Sequence, residues 1–250
     1  MHQNHPTELI VALDFPRMDQ ALKVVEQLQG LPVIYKVGVE LFMGCGPEIV
    51  RELAHQKARV FLDLKFNDMP HIVARAVKQA ALLHVEMLSL HLSGGSAMFR
   101  AISAEFAEVS SLKPKLLGVS VLPSFDDVHW AEVTRALTGH AVEVDSSVSG
   151  LLNTMSLWGL DGMFCSPSEL EETRKLYPSM YLAVSGVRLS EDLVQDPLRI
   201  TIPSQAKTLG ADAIIMGQPI TRASDPRSVA EAILNELSST SVKPRKSAQR

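Results

Sequence analysis

The feature that most constrains the fold is a regular alternation of short apolar runs with helix-like segments along the whole chain. Runs rich in Val, Ile, Leu and Phe cover residues 9–13, 33–37, 60–64, 85–91, 115–121, 162–165, 180–184 and 213–216. Almost continuously apolar strands that alternate with helices are typical of a parallel sheet covered by helices. Eight such units in 250 residues predict an α/β fold with one domain, a closed (β/α)8 TIM barrel.

The competing architecture is an open, doubly wound sheet. Such a sheet usually carries a glycine-rich turn directly after its first strand. Here the first strand is followed by Asp14-Phe15-Pro16-Arg17, which contains no glycine, so the barrel is favoured. We expect residues 1–8 to form an N-terminal arm and residues 9–238 the catalytic barrel. Residues 239–250 are rich in serine and basic residues, which predicts a disordered tail.

Charge and composition exclude several classes of partner. The net charge of −4 and a pI near 6.1 give no global attraction to nucleic acid or to an anionic membrane surface. No apolar run approaches the roughly 18 to 20 residues that span a bilayer. Two cysteines, Cys45 and Cys165, are too few for a disulfide framework, and no signal peptide is apparent. We therefore expect a cytoplasmic enzyme with a small-molecule substrate.

The helix after the third strand shows the clearest local signals. Pro70 suits the first turn of a helix, where its missing N–H group is harmless. The apolar residues that follow at helical spacing predict one buried face, made of Ile72, Val73, Ala76, Val77 and Ala80.

Charged residues close the first three strands. In α/β barrels the active site lies at the carboxyl ends of the strands. Asp63 and Lys65 are two residues apart on a strand and therefore face the same side, while Lys36 and Asp68 provide alternating neighbours. Such an array would hold an oriented ammonium group ready to donate a proton. The alternative is a buried ion network without chemistry, but buried charge is an expensive packing device.

Several other reactive side chains receive structural interpretations. Cys165 is expected to be a small buried apolar group, and His91 a core or rim histidine. No cluster has the spacing of metal ligands, so no metal is expected.

Several segments of the chain resemble motifs of a known protein family. The segment from Asp63 to Pro70, D-L-K-F-N-D-M-P, is similar to the D-L-K-F-H-D-I-P signature of orotidine 5′-phosphate decarboxylase. The segment K-V-G-V-E-L-F that begins at Lys36, the Gly186-Val187-Arg188 loop, and the Gly217-Gln218-Pro219-Ile220-Thr221 stretch resemble further motifs of that family.

The resemblance implies decarboxylation of orotidine 5′-phosphate to uridine 5′-phosphate (UMP) and carbon dioxide in de novo pyrimidine biosynthesis, without metal or organic cofactor. Lys65 would protonate the ring carbon, Asp63 would repel the departing carboxylate, and Asp14 and Lys36 would hold the ribose. Asp68 would act on the neighbouring site of a homodimer with shared active sites. The substrate-binding positions implied by the resemblance are Asp14, Lys36, Met69, Ile72, Ser120, Pro123, Ser124, Arg188, Gln195, Gly217 and Gln218.

The chain departs from the family pattern where the substrate is held. Gln218 replaces a phosphate-binding arginine, and Pro197 aligns with a phosphate-binding glutamine, for which Gln195 is the nearest substitute. Ile72 and Pro123 each replace a threonine. These changes suit an enzyme with a rearranged phosphate site. They also suit a diverged relative that acts as a binding or regulatory protein.

A further alternative is a sister enzyme that decarboxylates a sugar phosphate. Those barrels use magnesium and an acidic residue on strand 2, where this chain has Lys36. The sequence leaves open which group replaces the missing arginine.

Overall fold

The protein forms a closed barrel of eight parallel strands in chain order, β1 to β8, with β8 pairing back onto β1. The computed structural model describes residues 6–107, 113–155, 158–189 and 201–239. The strands are β1 (Glu8–Ala12), β2 (Val33–Gly38), β3 (Arg59–Phe66), β4 (Met87–His91), β5 (Lys115–Val119), β6 (Gly162–Cys165), β7 (Tyr181–Val184) and β8 (Ala213–Met216). The predicted TIM barrel is therefore confirmed.

Helices surround the barrel and follow the strands in sequence. They are α1 (Met18–Gln27), α2 (Val39–Cys45), α3 (Glu48–His55), α4 (Pro70–Leu82), α5 (Gly95–Glu105), α6 (Asp127–Thr138), α7 (Val144–Met155), α8 (Pro167–Leu176), α9 (Pro203–Thr208), α10 (Gln218–Thr221) and α11 (Pro226–Ser238). In the described ranges of the chain, none of these helices has both the length and the apolar character needed to cross a bilayer.

Helix α4 begins at Pro70 as predicted, but its buried face differs from the predicted one at two positions, because Ala76 is only half-buried and Ile72 is exposed. Val73, Val77 and Ala80 are buried, whereas Ile72 is 38% exposed. Ala74 is buried instead, because the helix turns its inner face one position further along the chain. Ile72 thus lies on the solvent side of the first turn, near the carboxyl end of β3.

The predicted domain limits can be compared only in part. Strand β1 begins at Glu8 and α11 ends at Ser238, and the expected limits of the arm, barrel and tail stay predictions. The outer part of the predicted arm, residues 1–5, and the predicted tail from residue 240 onward lie outside the described residues.

Two apolar layers hold the barrel together. Side chains on one face of the strands fill the barrel interior, among them Ile10, Ile34, Phe61, Leu117 and Phe164. Side chains on the other face pack against the helices and form the larger core. Each fully buried Leu, Ile or Phe in these layers contributes about 1.5 to 3 kcal/mol relative to an exposed one.

Polar side chains close the amino-terminal end of the barrel. Arg59 donates a bidentate pair of hydrogen bonds to Glu86 at 2.6 Å and also pairs with Glu8 at 2.7 Å. The Tyr181 hydroxyl donates to Glu8 at 2.7 Å, and the Lys115 ammonium lies 4.8 Å from the centre of the Tyr181 ring. These contacts link the strands at the amino-terminal end, whereas the charged residues Asp14, Lys36, Asp63 and Lys65 lie at the opposite, carboxyl end of the barrel.

Candidate active site

Four charged side chains from the first three strands form a continuous series at the carboxyl end of the barrel. Lys65 Nζ lies 2.8 and 2.9 Å from the two carboxylate oxygens of Asp63. Lys36 Nζ lies 3.5 Å from the Asp63 carboxylate and 3.1 Å from Asp14 Oδ1. The order is Asp14, Lys36, Asp63, Lys65, so negative and positive charges alternate along this series within one chain.

Burial differs strongly along this series. The side chain of Asp63 is 3% exposed and that of Lys36 10%, whereas Lys65 is 25% and Asp14 58% exposed. Burial by itself would raise the pKa of the Asp63 carboxyl, but the charges of Lys36 and Lys65 and the hydrogen bonds from Lys65 and Ser89 together lower it. Asp63 is therefore a fixed negative charge at the centre of the series.

The backbone around Lys65 is unusual. The register between β3 and β4 shifts between Leu62 and Phe66, so the residues around Lys65 leave the regular ladder. Lys65 has φ +49°, a left-handed conformation that is costly for a residue with a side chain. Its N–H donates to Ser89 Oγ at 2.9 Å, and the same hydroxyl donates to Asp63 Oδ1 at 2.7 Å. The fully buried Ser89 thus holds both Lys65 and Asp63 in place.

An aromatic ring lies beneath the ammonium group of Lys65. Lys65 Nζ is 5.2 Å from the centre of the Phe164 ring, within the distance of a cation–π contact. Phe164 packs edge-on against Phe61 with ring centres 6.0 Å apart. The two rings form the apolar floor of the mouth.

Gly38 leaves room for the pair of Lys36 and Asp14. A Cβ atom at residue 38 would lie 3.2 Å from Lys36 Nζ and 3.4 Å from Asp14 Oδ1. Any side chain there would push these two groups aside.

His91 ends strand β4 on the same inward-facing side as Ser89. Burial, followed by the positive charge of Lys65, lowers the pKa of the imidazole, while Asp63 opposes this effect. The lowered pKa favours the neutral imidazole beside the Lys65 ammonium.

Asp68 lies apart from the series of its own chain. It is exposed, and its carboxylate accepts a hydrogen bond from the Met69 N–H at 2.6 Å. Within the described residues it forms no ion pair with Lys65. Asp68 therefore does not join the charge series of its own chain, and its expected role in the site of a partner subunit stays a prediction. The carboxylate lies apart because β3 has ended and the chain turns outward toward α4 before residue 68.

A second group of predicted residues follows strands β7 and β8. Arg188, Gly217 and Gln218 line one open cavity, and Asp14 lies on its wall as well. The cavity therefore adjoins the charge series. Arg222 lines it too, a residue that the sequence analysis did not single out.

The remaining predicted residues are divided among other places. Ser120 is buried, and its hydroxyl donates to the Glu169 carboxylate of α8, so its side chain points away from the barrel interior. Pro123 and Ser124 are exposed in the loop after β5, where Pro123 lines a cavity shared with Glu169. Met69, like Ile72, is exposed at the start of α4.

Glu169 is a buried carboxyl group in the first turn of α8. Burial raises the pKa of its carboxyl, against hydrogen bonds from Ser120 and from the Ser166 hydroxyl and N–H. Ser166 and Glu169 form a capping box at the start of α8, so the burial of this carboxyl has a structural explanation.

Gln195 and Pro197 lie outside the described residues, so their predicted roles stay predictions. Across the described ranges, no three His, Cys, Asp or Glu side chains are grouped as metal ligands.

Comparison with known proteins identifies the family. Residues 7–233 match the family model described as the orotidine 5′-phosphate decarboxylase / HUMPS family. The orotidine 5′-phosphate decarboxylase of Pseudomonas fluorescens strain Pf0-1 is 38% identical over 231 residues, which cover 92% of this chain and 97% of the relative. The orotidine 5′-phosphate decarboxylase of Pseudomonas entomophila strain L48 is 39% identical over 234 residues, with the same coverage.

A solved structure agrees with these sequence relatives. The crystal structure of orotidine 5′-phosphate decarboxylase from Lactobacillus acidophilus has a TM-score of 0.80 to this chain at 31% identity. The match covers 93% of this chain and 100% of that one. The chain therefore belongs to the orotidine 5′-phosphate decarboxylase / HUMPS family.

Proposed function

We propose that this protein catalyses the decarboxylation of orotidine 5′-phosphate to UMP and carbon dioxide in pyrimidine biosynthesis. The observation that carries the proposal is the unbroken series from Asp14 through Lys36 and Asp63 to Lys65 at the open mouth of the barrel. The relatives named as this decarboxylase span nearly the whole chain. Lys36 occupies the strand 2 position where the magnesium-dependent sister barrels carry an acidic residue, which argues for this branch.

The series suits a proton transfer at carbon. The bond between ring carbon 6 and the carboxylate breaks, the electron pair stays on the carbon, and carbon dioxide leaves. Lys65 then gives a proton to that carbon and becomes a neutral amine, which solvent reprotonates. Because Asp63 holds both its oxygens toward Lys65 Nζ, the ammonium group is positioned before the substrate arrives.

Asp63 contributes by charge. Its carboxylate is almost fully buried and keeps its negative charge, so a second carboxylate beside it is repelled until it leaves as neutral carbon dioxide. The ammonium of Lys65 attracts the charge that develops on the ring carbon in the transition state. Interactions that strengthen only as the reaction proceeds are the ones that raise kcat.

The remaining contacts follow from the layout of the mouth. We assign the ribose to Asp14 and Lys36, and the phosphate to the cavity lined by Arg188, Gly217 and Gln218. The rim positions assigned to the substrate are Met69, Ile72, Pro123 and Ser124. Ser120 can contribute only through its backbone in this arrangement, because its hydroxyl is engaged by Glu169.

The direct test is the loss of orotidine 5′-phosphate absorbance with purified protein, followed by identification of UMP. Lys65→Ala should remove turnover while leaving the fold intact. Lys115→Ala is the matched control, because Lys115 is also a strand lysine but lies at the amino-terminal end of the barrel, where it contacts Glu86 and Tyr181. Equal activity of wild type and Lys65→Ala, or activity that requires added magnesium, would overturn the proposal.

We further propose a homodimer in which Asp68 completes the site of the partner subunit. Asp68 is exposed and does not reach Lys65 of its own chain. Exposed apolar side chains follow β2 and β3 on the same side of the barrel, namely Val39, Met43, Met69 and Ile72. An apolar surface of this kind suits a buried interface between two copies.

Subunit mixing tests the shared site. Lys65→Ala and Asp68→Ala should each be inactive alone. Random exchange of equal amounts should restore about a quarter of wild-type activity, because half the dimers are mixed and each mixed dimer has one intact site. No recovery despite demonstrated exchange of subunits would contradict a shared site.

The cytoplasm is the proposed location. Both cysteines are free thiols, which suits a reducing compartment. Fractionation of cells that express the tagged protein would test this.

A further inference from the structure

The charge series cannot by itself attract a substrate phosphate. Its two carboxylates and two ammonium groups, from Asp14, Lys36, Asp63 and Lys65, sum to zero charge. A phosphate monoester carries about −1.5 to −2 charge near pH 7. The counter-charge must therefore come from other residues, and Gln218 at the end of β8 supplies none.

Arg222 is placed to supply that charge. Its N–H donates to the carbonyl of Gln218 at 3.0 Å, so it lies one helical turn after that residue and on the same side of α10. Its side chain lines the cavity that also contains Arg188 and Asp14. An arginine side chain is longer than a glutamine side chain. Arg222 can therefore approach the space beside Gln218 although it lies one helical turn further along the chain.

Arg222 is also available for binding. It is exposed, and among the residues that the structure describes its guanidinium forms no ion pair and no hydrogen bond. Arg188 likewise pairs with no carboxylate in the described part of the chain, and its Nη1 donates only to the Val187 carbonyl at 3.1 Å. Two guanidinium groups that have no carboxylate partner among the described residues, from the segments after β7 and β8, thus line one cavity.

We infer that Arg222 acts together with Arg188 as the binding site for the substrate phosphate, in the role that Gln218 cannot fill. This inference rests on the proposed function. Guanidinium groups bind phosphate through paired, charge-assisted hydrogen bonds, and two of them balance a dianion. Asp14 connects the cavity to Lys36, so a phosphate held here is joined through the ribose to the reacting ring above Lys65. Gln218 then contributes one neutral hydrogen bond.

The test compares ligands with and without phosphate. Affinities for UMP and for uridine are measured by calorimetry for wild type and Arg222→Ala. We expect Arg222→Ala to weaken UMP binding by about 10-fold or more and to leave uridine binding unchanged, because one charge-assisted contact is lost. Arg135→Ala is the matched control, since Arg135 is an exposed helical arginine on α6 without an ion pair in the described residues. It should change neither affinity.

A compensating substitution sharpens the test. Gln218→Arg should restore UMP affinity in the Arg222→Ala background but improve wild type by less than about threefold, because the wild-type site already has its cation. Equal gains in both backgrounds, or equal losses for UMP and uridine in Arg222→Ala, would overturn the inference.

The test separates this inference from the proposed function. A wild type that binds UMP through Arg222 but does not decarboxylate orotidine 5′-phosphate would refute the activity and keep the phosphate site. Full decarboxylase activity in Arg222→Ala, with UMP affinity and KM unchanged from wild type, would support the activity and refute the phosphate site.

Discussion

Replacing Ser89 by alanine should weaken both the fold and the reaction. Ser89 is fully buried on β4, and its single hydroxyl donates to Asp63 at 2.7 Å while accepting from the Lys65 N–H at 2.9 Å. Ser89→Ala removes one hydrogen bond to a charged group, which contributes about 1.5 to 3 kcal/mol, and leaves the Lys65 N–H without its acceptor. We expect the free energy of unfolding to fall by about 2 to 4 kcal/mol.

The catalytic effect comes from geometry. Lys65 has a left-handed backbone that neighbouring contacts must maintain, and Ser89 provides one of them. When this contact is lost, Lys65 and Asp63 can drift from their positions. Displacements of about 1 Å can cost 100-fold in rate, so we expect kcat to fall by about 10- to 100-fold with a smaller change in KM.

The assay combines urea unfolding with steady-state kinetics on the same preparations. Thr173→Val is the matched control, because Thr173 is also fully buried and its hydroxyl donates to the Glu169 carbonyl at 2.7 Å, far from Lys65 on α8. It should lose about 1 kcal/mol of stability without loss of kcat. If Ser89→Ala loses stability like this control but keeps kcat within about twofold of wild type, Ser89 does not position the catalytic groups.

Substitutions at Phe164, Gly38 and Glu169 probe other contacts of the site and of the fold. Phe164→Leu removes the ring 5.2 Å from Lys65 Nζ, a cation–π contact of about 0.5 to 2 kcal/mol, and should lower kcat by a few-fold up to about 30-fold in steady-state assays. Gly38→Ala introduces a Cβ 3.2 Å from Lys36 Nζ and should raise KM, whereas Gly150→Ala, with open space around its Cβ, should not. The raised pKa of Glu169 means that this group stabilises the fold fully below its unfolded pKa, near 4.5, and that this contribution is lost as pH rises through the folded value. Glu169→Gln should therefore flatten the decline of the urea midpoint between pH 4.5 and 7, and an unchanged slope would contradict the assignment.

The barrel and the core of the site could be predicted because both depend on strand periodicity. Alternation places Asp63 and Lys65 on one side of β3, and parallel strands bring Lys36 and Asp14 to the same end. The same rule could have located two residues that were missed or misplaced. Ser89 lies two residues before His91 and faces inward with it, whereas Ser120 follows the inward-facing Val119 and so faces α8.

Other features depend on information that strand periodicity does not contain. The shift in register near Lys65 is visible only when β3 and β4 are paired. Arg222 could not be assigned from its neighbours in sequence, because its relation to Arg188 arises where two loops meet around one cavity. Asp68 follows β3 at the end of the barrel where the charge series lies, but the chain turns toward α4 before residue 68, so its carboxylate does not join the series of its own subunit.

The tightly packed apolar interior of the barrel determines where a proton delivered to the product can come from. Beneath Lys65, the barrel interior is filled by the rings of Phe164 and Phe61 and by aliphatic side chains, which offer no proton donor. If Lys65 is the proton donor, as proposed, its neutral amine is reprotonated from the water at the mouth of the barrel. Turnover in deuterium oxide should therefore place one deuterium at ring carbon 6 of every UMP, with no dilution by protium stored inside the barrel.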